Sequence, residues 1–155
     1  MRILITGGFG FIGGRLATHF SQAGHEVVLG SRGPRDPPNW LPQAKVAQIN
    51  WSDQCSLESS CENIHTIIHA AGMNAHDCAL DPIAALNFNG IVTERLVEAA
   101  SRMGVGKFIY ISTAHVYASP LAGTITEKTL PNNPHPYASS NLAGESAVLN
   151  ANDHG

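Results

Sequence analysis

Charge is scarce in this chain, and cysteine scarcer. Of 155 residues only 14% are Asp, Glu, Lys or Arg, and nine basic against twelve acidic side chains leave a formal net charge of −3. Lys and Arg are scattered rather than clustered, so the electrostatic footprint of a nucleic-acid-binding protein is missing. The cysteines Cys55, Cys61 and Cys78 are odd in number, form no C-x-x-C pair and have no matched histidine spacing. They argue against a disulfide framework or a metal site and read as small apolar side chains in a reducing compartment. Long apolar runs are lacking too, and no stretch approaches the ~20 residues that span a bilayer. A strand pattern begins at Arg2, which leaves no space before it for a signal peptide, so the cytoplasm is the expected location. Repeats, low-complexity tracts and linkers are also missing.

What is present is an ordinary globular composition, 43% hydrophobic, in a length that suits one domain, residues 1–155, with a core of its own. Short apolar runs alternate with helical patterns. Arg2–Thr6 reads as a strand, Phe11–Gln22 as a helix ended by Gly24, and residues 26–30 as a second strand. A loop with Pro34, Pro37, Pro38 and Pro42 leads to a third strand at 45–49. Ser52 is a candidate cap for a weak helix reaching Cys61, and residues 65–71 form a fourth strand. The clearest helix follows: Asp81 as cap, Pro82 in the first turn, then Ile83, Leu86, Ile91, Leu96, Val97 and Met103 at helical spacing, with Gly104 as stop. A fifth strand is expected at 107–112 and a last helix at 136–149, after a long loop. Apolar strands alternating with helices predict an α/β fold, a parallel sheet covered on both faces. Ligands of such sheets bind at the carboxyl ends of the strands. No sixth strand follows the last helix, so residues 150–155 read as the middle of a fold that continues.

The first of those strand ends carries Thr6-Gly7-Gly8-Phe9-Gly10-Phe11-Ile12-Gly13. Gly7 lets the chain turn, Gly10 lets backbone approach a pyrophosphate, and Gly13 lets helix and strand pack closely. The helix start offers N–H groups and a positive dipole end to the anion. A strand before and a helix after are the context this motif requires. An acidic residue about 20 residues further on would bind the ribose 2′-hydroxyl of NAD. That place holds Ser31-Arg32-Gly33, with Arg35 beyond. A small hydroxyl beside a guanidinium suits a 2′-phosphate, which predicts NADP, with NAD as the other candidate. The competing reading of Arg32 is a solvated loop side chain.

In these motifs the chain resembles the extended short-chain dehydrogenase/reductases, the NAD(P)-dependent epimerase/dehydratase group. Asn50-Trp51-Ser52-Asp53 falls where that family has an acidic motif touching the adenine, with Asn50 in the aspartate's place. His69-Ala70-Ala71-Gly72 is similar to its fourth-strand motif, which lines the cofactor. Asn87-Phe88-Asn89-Gly90 is similar to its helix motif, with Asn87 matching the structural asparagine. Ser112-Thr113-Ala114-His115-Val116-Tyr117 resembles the fifth-strand motif and puts the catalytic hydroxyl at Thr113. Tyr137-Ala138-Ser139-Ser140-Asn141 occupies the place of YxxxK. The resemblance implies a Rossmann-type doubly wound sheet, strand order 3-2-1-4-5, with the later strands and the substrate subdomain absent. It implies an oxidoreductase, epimerase or dehydratase acting on a nucleotide sugar or a related carbonyl or hydroxyl compound, and a homodimer. Tyr137 would exchange a proton with the substrate oxygen while hydride moves to or from the nicotinamide, and Thr113 would hold that oxygen. His115 and His135 lie in the same loop region and are candidate bases, but a loop histidine is more often solvated, and both are left out.

One position departs from the pattern. Asn141 stands where the family has lysine. A tyrosine titrates near pH ~10, and a neighbouring ammonium favours the phenolate; bringing it to neutrality takes roughly 4 kcal/mol. Asn supplies no charge, though it can still hydrogen-bond the nicotinamide ribose. The expectation is a reductase, since a protonated tyrosine can still act as an acid. The competing class is an NAD(P)-binding module, a sensor or subunit, with impaired catalysis; a weaker one is an oligomer scaffold.

Overall fold

In the computed structural model the chain is described over residues 1–152. Part of the segment expected to break off in mid-fold, residues 153–155, lies outside them. The chain divides into two compact units, residues 1–71 with 95–111, and residues 72–94 with 112–155.

The first unit holds a five-stranded parallel sheet in the order β3-β2-β1-β4-β5. Its strands are β1 (Arg2–Thr6), β2 (Glu26–Ser31), β3 (Lys45–Gln48), β4 (Thr66–His69) and β5 (Lys107–Tyr110). β1 registers Ile3 on Val27 and Thr66, and Thr6 on Gly30 and His69, so both neighbours end level with it. Side chains alternate across the pleat and divide the core in two. Ile3, Ile5, Val27, Leu29 and Ile68 pack with Ala17 of α1 (Phe11–Gln22), and Phe9, Leu16 and Phe20 lie against them. Leu4, Val28 and Ile67 pack with Leu57 of α2 (Gln54–Ser60) and with Leu96, Ala99 and Ala100 of α5 (Thr93–Arg102). Runs buried on both faces, such as ILIT and VVLG, are what such a sheet requires.

The second unit is helical: α3 (Ala75–Leu80), α4 (Pro82–Ala85), a π-helical stretch at Leu86–Val92 running into α5, a 3₁₀ turn at Ala114–Val116, and α6 (Pro136–Asn152). The expected single helix from Pro82 is therefore π-helical in its middle, and its apolar face is not the one the spacing marks. Leu96 and Val97 are buried, but Ile83 is 83% exposed, and Leu86, Ile91 and Met103 are exposed as well. Each π turn takes in about one residue more than an α turn and rotates the later side chains off the earlier stripe. The inward positions become Ala85, Asn89, Gly90 and Val92. Asp81 caps α4 as expected, its carboxylate accepting from Ala84 N at 2.9 Å. At α2 the cap is Asp53, not Ser52, accepting from Cys55 N at 3.1 Å. α3 is a helix the spacing missed, although Asn74 and Asp77 bond each other reciprocally at its start, at 2.9 and 2.8 Å. No described helix is long and apolar enough to cross a membrane.

Candidate functional site

In the first unit the strand ends converge on the glycine loop. Gly7 has φ +66°, and a side chain there would bring its Cβ within 2.6 Å of the Ala70 carbonyl oxygen, so loop and β4 end touch backbone to backbone. Gly10 N donates to Gly7 O at 2.9 Å and tightens the turn. A Cβ on Gly13 would collide with the Gly7 carbonyl, which is the helix–strand approach expected of this position. Gly10 is the N-cap of α1 and brings no side chain to its first turn, where α2, α3 and α4 are each capped by a side chain. Unused N–H groups and the positive end of the helix dipole are thus gathered at one place. Phe11 and Ile12, on that first turn, have exposed side chains. The uncapped helix start and the glycines before it fit a pyrophosphate.

A buried polar link ties β1 to β4 beneath the loop. Thr6 Oγ1 lies 2.6 Å from His69 Nδ1 and accepts from Ala71 N at 3.3 Å. Trp51, Phe108 and Tyr110 surround the His69 ring at 5.9, 6.1 and 5.7 Å between centroids. Burial pushes this imidazole down to about 4, so it is neutral at physiological pH.

At the end of β2, Ser31 is buried and its hydroxyl donates to Gly33 O at 2.8 Å, so it faces its own loop. Arg32 is exposed. Arg35 lies over the Phe9 ring, its Cζ 4.9 Å from the centroid, and Arg15 over Phe11 at 4.6 Å. Beyond β3, Asn50 accepts from Ser52 N at 3.1 Å and closes a turn, while the Trp51 carbonyl accepts from Arg95 Nη1 at 3.1 Å. Ala70 and Ala71 are half-buried.

The second unit carries the residues expected to do chemistry. Thr113 Oγ1 accepts from His115 N at 3.2 Å and caps the 3₁₀ turn; its neighbour Ser112 donates to the Glu145 carboxylate. Tyr137 is half-buried in the first turn of α6, its N–H donating to His135 Nδ1 at 3.1 Å. The His115 and Tyr137 rings stand 6.5 Å apart, so a histidine set aside as solvated neighbours the tyrosine. Asn141, one turn along α6, is buried and donates through Nδ2 to Tyr137 O at 2.8 Å. Its amide nitrogen thus bonds its own helix. Asn87 is exposed, and the buried asparagine of that motif is Asn89. Asn89 accepts from Met73 N at 2.9 Å and donates to Ser140 Oγ at 3.0 Å. A Cβ on Gly72 would stand 3.3 Å from its Oδ1. Asn87 is singled out by its match to the family motif; the π-helical stretch, which has no signature in periodicity, turns Asn89 inward instead.

Comparison with known proteins decides what this arrangement belongs to. Residues 3–155 match the family model described as the NAD dependent epimerase/dehydratase family. The chain belongs to that family. A 3 beta-hydroxysteroid dehydrogenase/Delta 5-->4-isomerase of Mycobacterium tuberculosis is 34% identical over 122 residues, 74% of this chain and 32% of that protein. A dTDP-glucose 4,6-dehydratase of Streptomyces niveus is 30% identical over 164 residues, 96% of this chain and 48% of its own length. Among solved structures, MoeE5 in complex with UDP-glucose and NAD shares 30% identity at a TM-score of 0.81, covering 97% of this chain and 49% of that one. The chain spans half or less of the length of each of these epimerase/dehydratase-family relatives.

Proposed function

We propose that this chain is the dinucleotide-binding portion of an NADP-preferring enzyme that reduces, epimerises or dehydrates a sugar nucleotide or a related carbonyl or hydroxyl compound. The observation that carries the reading is the glycine loop, backbone-packed on β4 and opening onto a helix start without a side-chain cap. The relatives named for dTDP-glucose and UDP-glucose support the substrate class, and the steroid dehydrogenase marks a competing one. A nicotinamide dinucleotide, when bound, supplies or accepts the hydride. The N–H groups of Phe11, Ile12 and Gly13 hold its pyrophosphate; Asn50 and Trp51 serve the adenine end, and Ala70, Ala71, Gly72 and Asn87 line its path. Tyr137 Oη moves the proton at the substrate oxygen, and Thr113 Oγ1 holds that oxygen once it leaves its loop bond to His115 N. Without lysine at position 141, giving a proton is easier than taking one, so reduction is the favoured direction. The exposed side chains of Ile83, Leu86 and Ile91 are candidate contacts for a second copy of the chain. A cytoplasmic site of action completes the reading.

A second reading is favoured by one observation. Asn141 gives its amide nitrogen to Tyr137 O, and a chain so arranged could bind the dinucleotide and do little else. Calorimetric titration with NADP and NAD, then incubation with UDP-glucose or dTDP-glucose and proton NMR of the products, tests both. Tight NADP binding with a changed sugar is the expected result. Binding without turnover selects the module, and binding of neither dinucleotide overturns both readings.

A further inference from the structure

We infer that Arg35, seated on the Phe9 ring, is the residue that selects a 2′-phosphorylated dinucleotide, and that Phe9 is its positioning residue. This rests on the NADP reading above and names the side chain that performs it. Ser31 and Arg32 are the residues that spacing from the glycines singles out, but Ser31 has turned its hydroxyl to Gly33 O at 2.8 Å. Arg32 is exposed and, among the described residues, has no hydrogen bond, ion pair or ring contact to hold it in one place. Arg35 is held. Its guanidinium covers Phe9 at 4.9 Å, and Phe9 itself packs on the core formed by Ile3, Ile5, Val27 and Leu29.

Phe9 lies inside the glycine loop, between Gly8 and Gly10, so the stack parks a positive charge beside the anion-binding turn. Among the described residues no carboxylate neutralises it. Stacking occupies the face of the guanidinium and leaves its in-plane N–H fork for two phosphate oxygens. A lysine ammonium has neither the flat face nor the fork. Side-chain freedom is already restricted before the ligand arrives, which favours binding.

The test is titration of NADP and NAD into the full chain and its variants, followed by fluorescence or calorimetry. In the wild type NADP binds more tightly. Arg35→Ala lowers NADP affinity tenfold or more and leaves NAD within twofold, whereas Arg32→Ala changes NADP by less than Arg35→Ala does. Arg35→Lys fails to restore the preference. Phe9→Leu lowers the NADP/NAD affinity ratio, and Phe9→Tyr keeps it, a readout that a purely structural role would not move. If Arg35→Ala keeps the wild-type ratio while Arg32→Ala loses it, the inference is overturned and the NADP reading stands. A wild type that prefers NAD, or binds neither, overturns both. An unchanged ratio in Phe9→Leu removes Phe9 from the assignment.

Discussion

The starts of α1 and α6 both carry candidate site motifs, and they are built in opposite ways. At α1 no side chain caps the first turn, and a Cβ on Gly7 or Gly13 would collide with neighbouring backbone. At α6 the side chains turn back on their own helix. Asn141 Nδ2 and Ser140 Oγ both donate to the Tyr137 carbonyl, at 2.8 and 3.2 Å, and His135 Nδ1 takes the Tyr137 N–H. A site made of backbone clearance survives as long as its glycines do. One that depends on a placed charge is sensitive to a single residue type, and position 141 holds Asn.

Gly7→Val combines a β-branched residue at positive φ with a clash against Ala70, and should cost about 3–5 kcal/mol of stability. Urea unfolding checks it; a loss below ~1 kcal/mol would mean that the loop relaxes freely and is no rigid cradle.

Next comes the link beneath the loop. The His69 pKa is about 4 in the folded chain, below the ordinary value of about 6.5. Its contribution is therefore complete above pH ~6.5, where both states are neutral, and falls as the pH drops toward ~4 because the unfolded chain takes up the proton first. The loss should approach about 3 kcal/mol across that window, and His69→Gln should flatten this part of the pH–stability curve. Equal slopes in the two proteins would remove His69 as the cause.

Gly10→Val should weaken dinucleotide binding by about 2–3 kcal/mol while the melting temperature moves little. A Cβ there meets only the Gly7 carbonyl, at 3.1 Å, so the damage falls on the ligand and not on the fold. Unaltered affinity would make the loop a turn and nothing more. Asn141→Lys acts at the other helix. Supplying the charge should shift the pH profile of the oxidative reaction toward lower pH by about one unit and leave reduction nearly unchanged. Should the oxidative profile stay in place, Tyr137 is not the base.

Much of the fold was legible. Apolar runs marked all five strands to within a few residues, and Asp81-Pro82 and Gly104 marked the ends of the long helical stretch. The glycine string was legible for the same local reason: positive φ at Gly7 and close approach at Gly13 need nothing beyond the loop and the strands it joins. Distances across the chain were not. Arg35 is close to Arg32 in sequence, yet only the path of the proline-bearing loop places it on Phe9. That Asn89 is the buried amide of its motif was not legible either, because the π-helical stretch changes which side chains face inward.

By itself the sequence determined the parallel α/β sheet, its order through the family resemblance, the cradle at Gly7, Gly10 and Gly13, and the missing lysine at 141. These depend on local backbone preference, on period, and on which residue type stands at a motif position. Tertiary structure alone decided that Ser31 spends its hydroxyl on Gly33, that Arg35 stacks on Phe9, and that His115 neighbours Tyr137. Those outcomes are settled by competition among hydrogen-bond and packing partners, and partners are known only once the chain has folded.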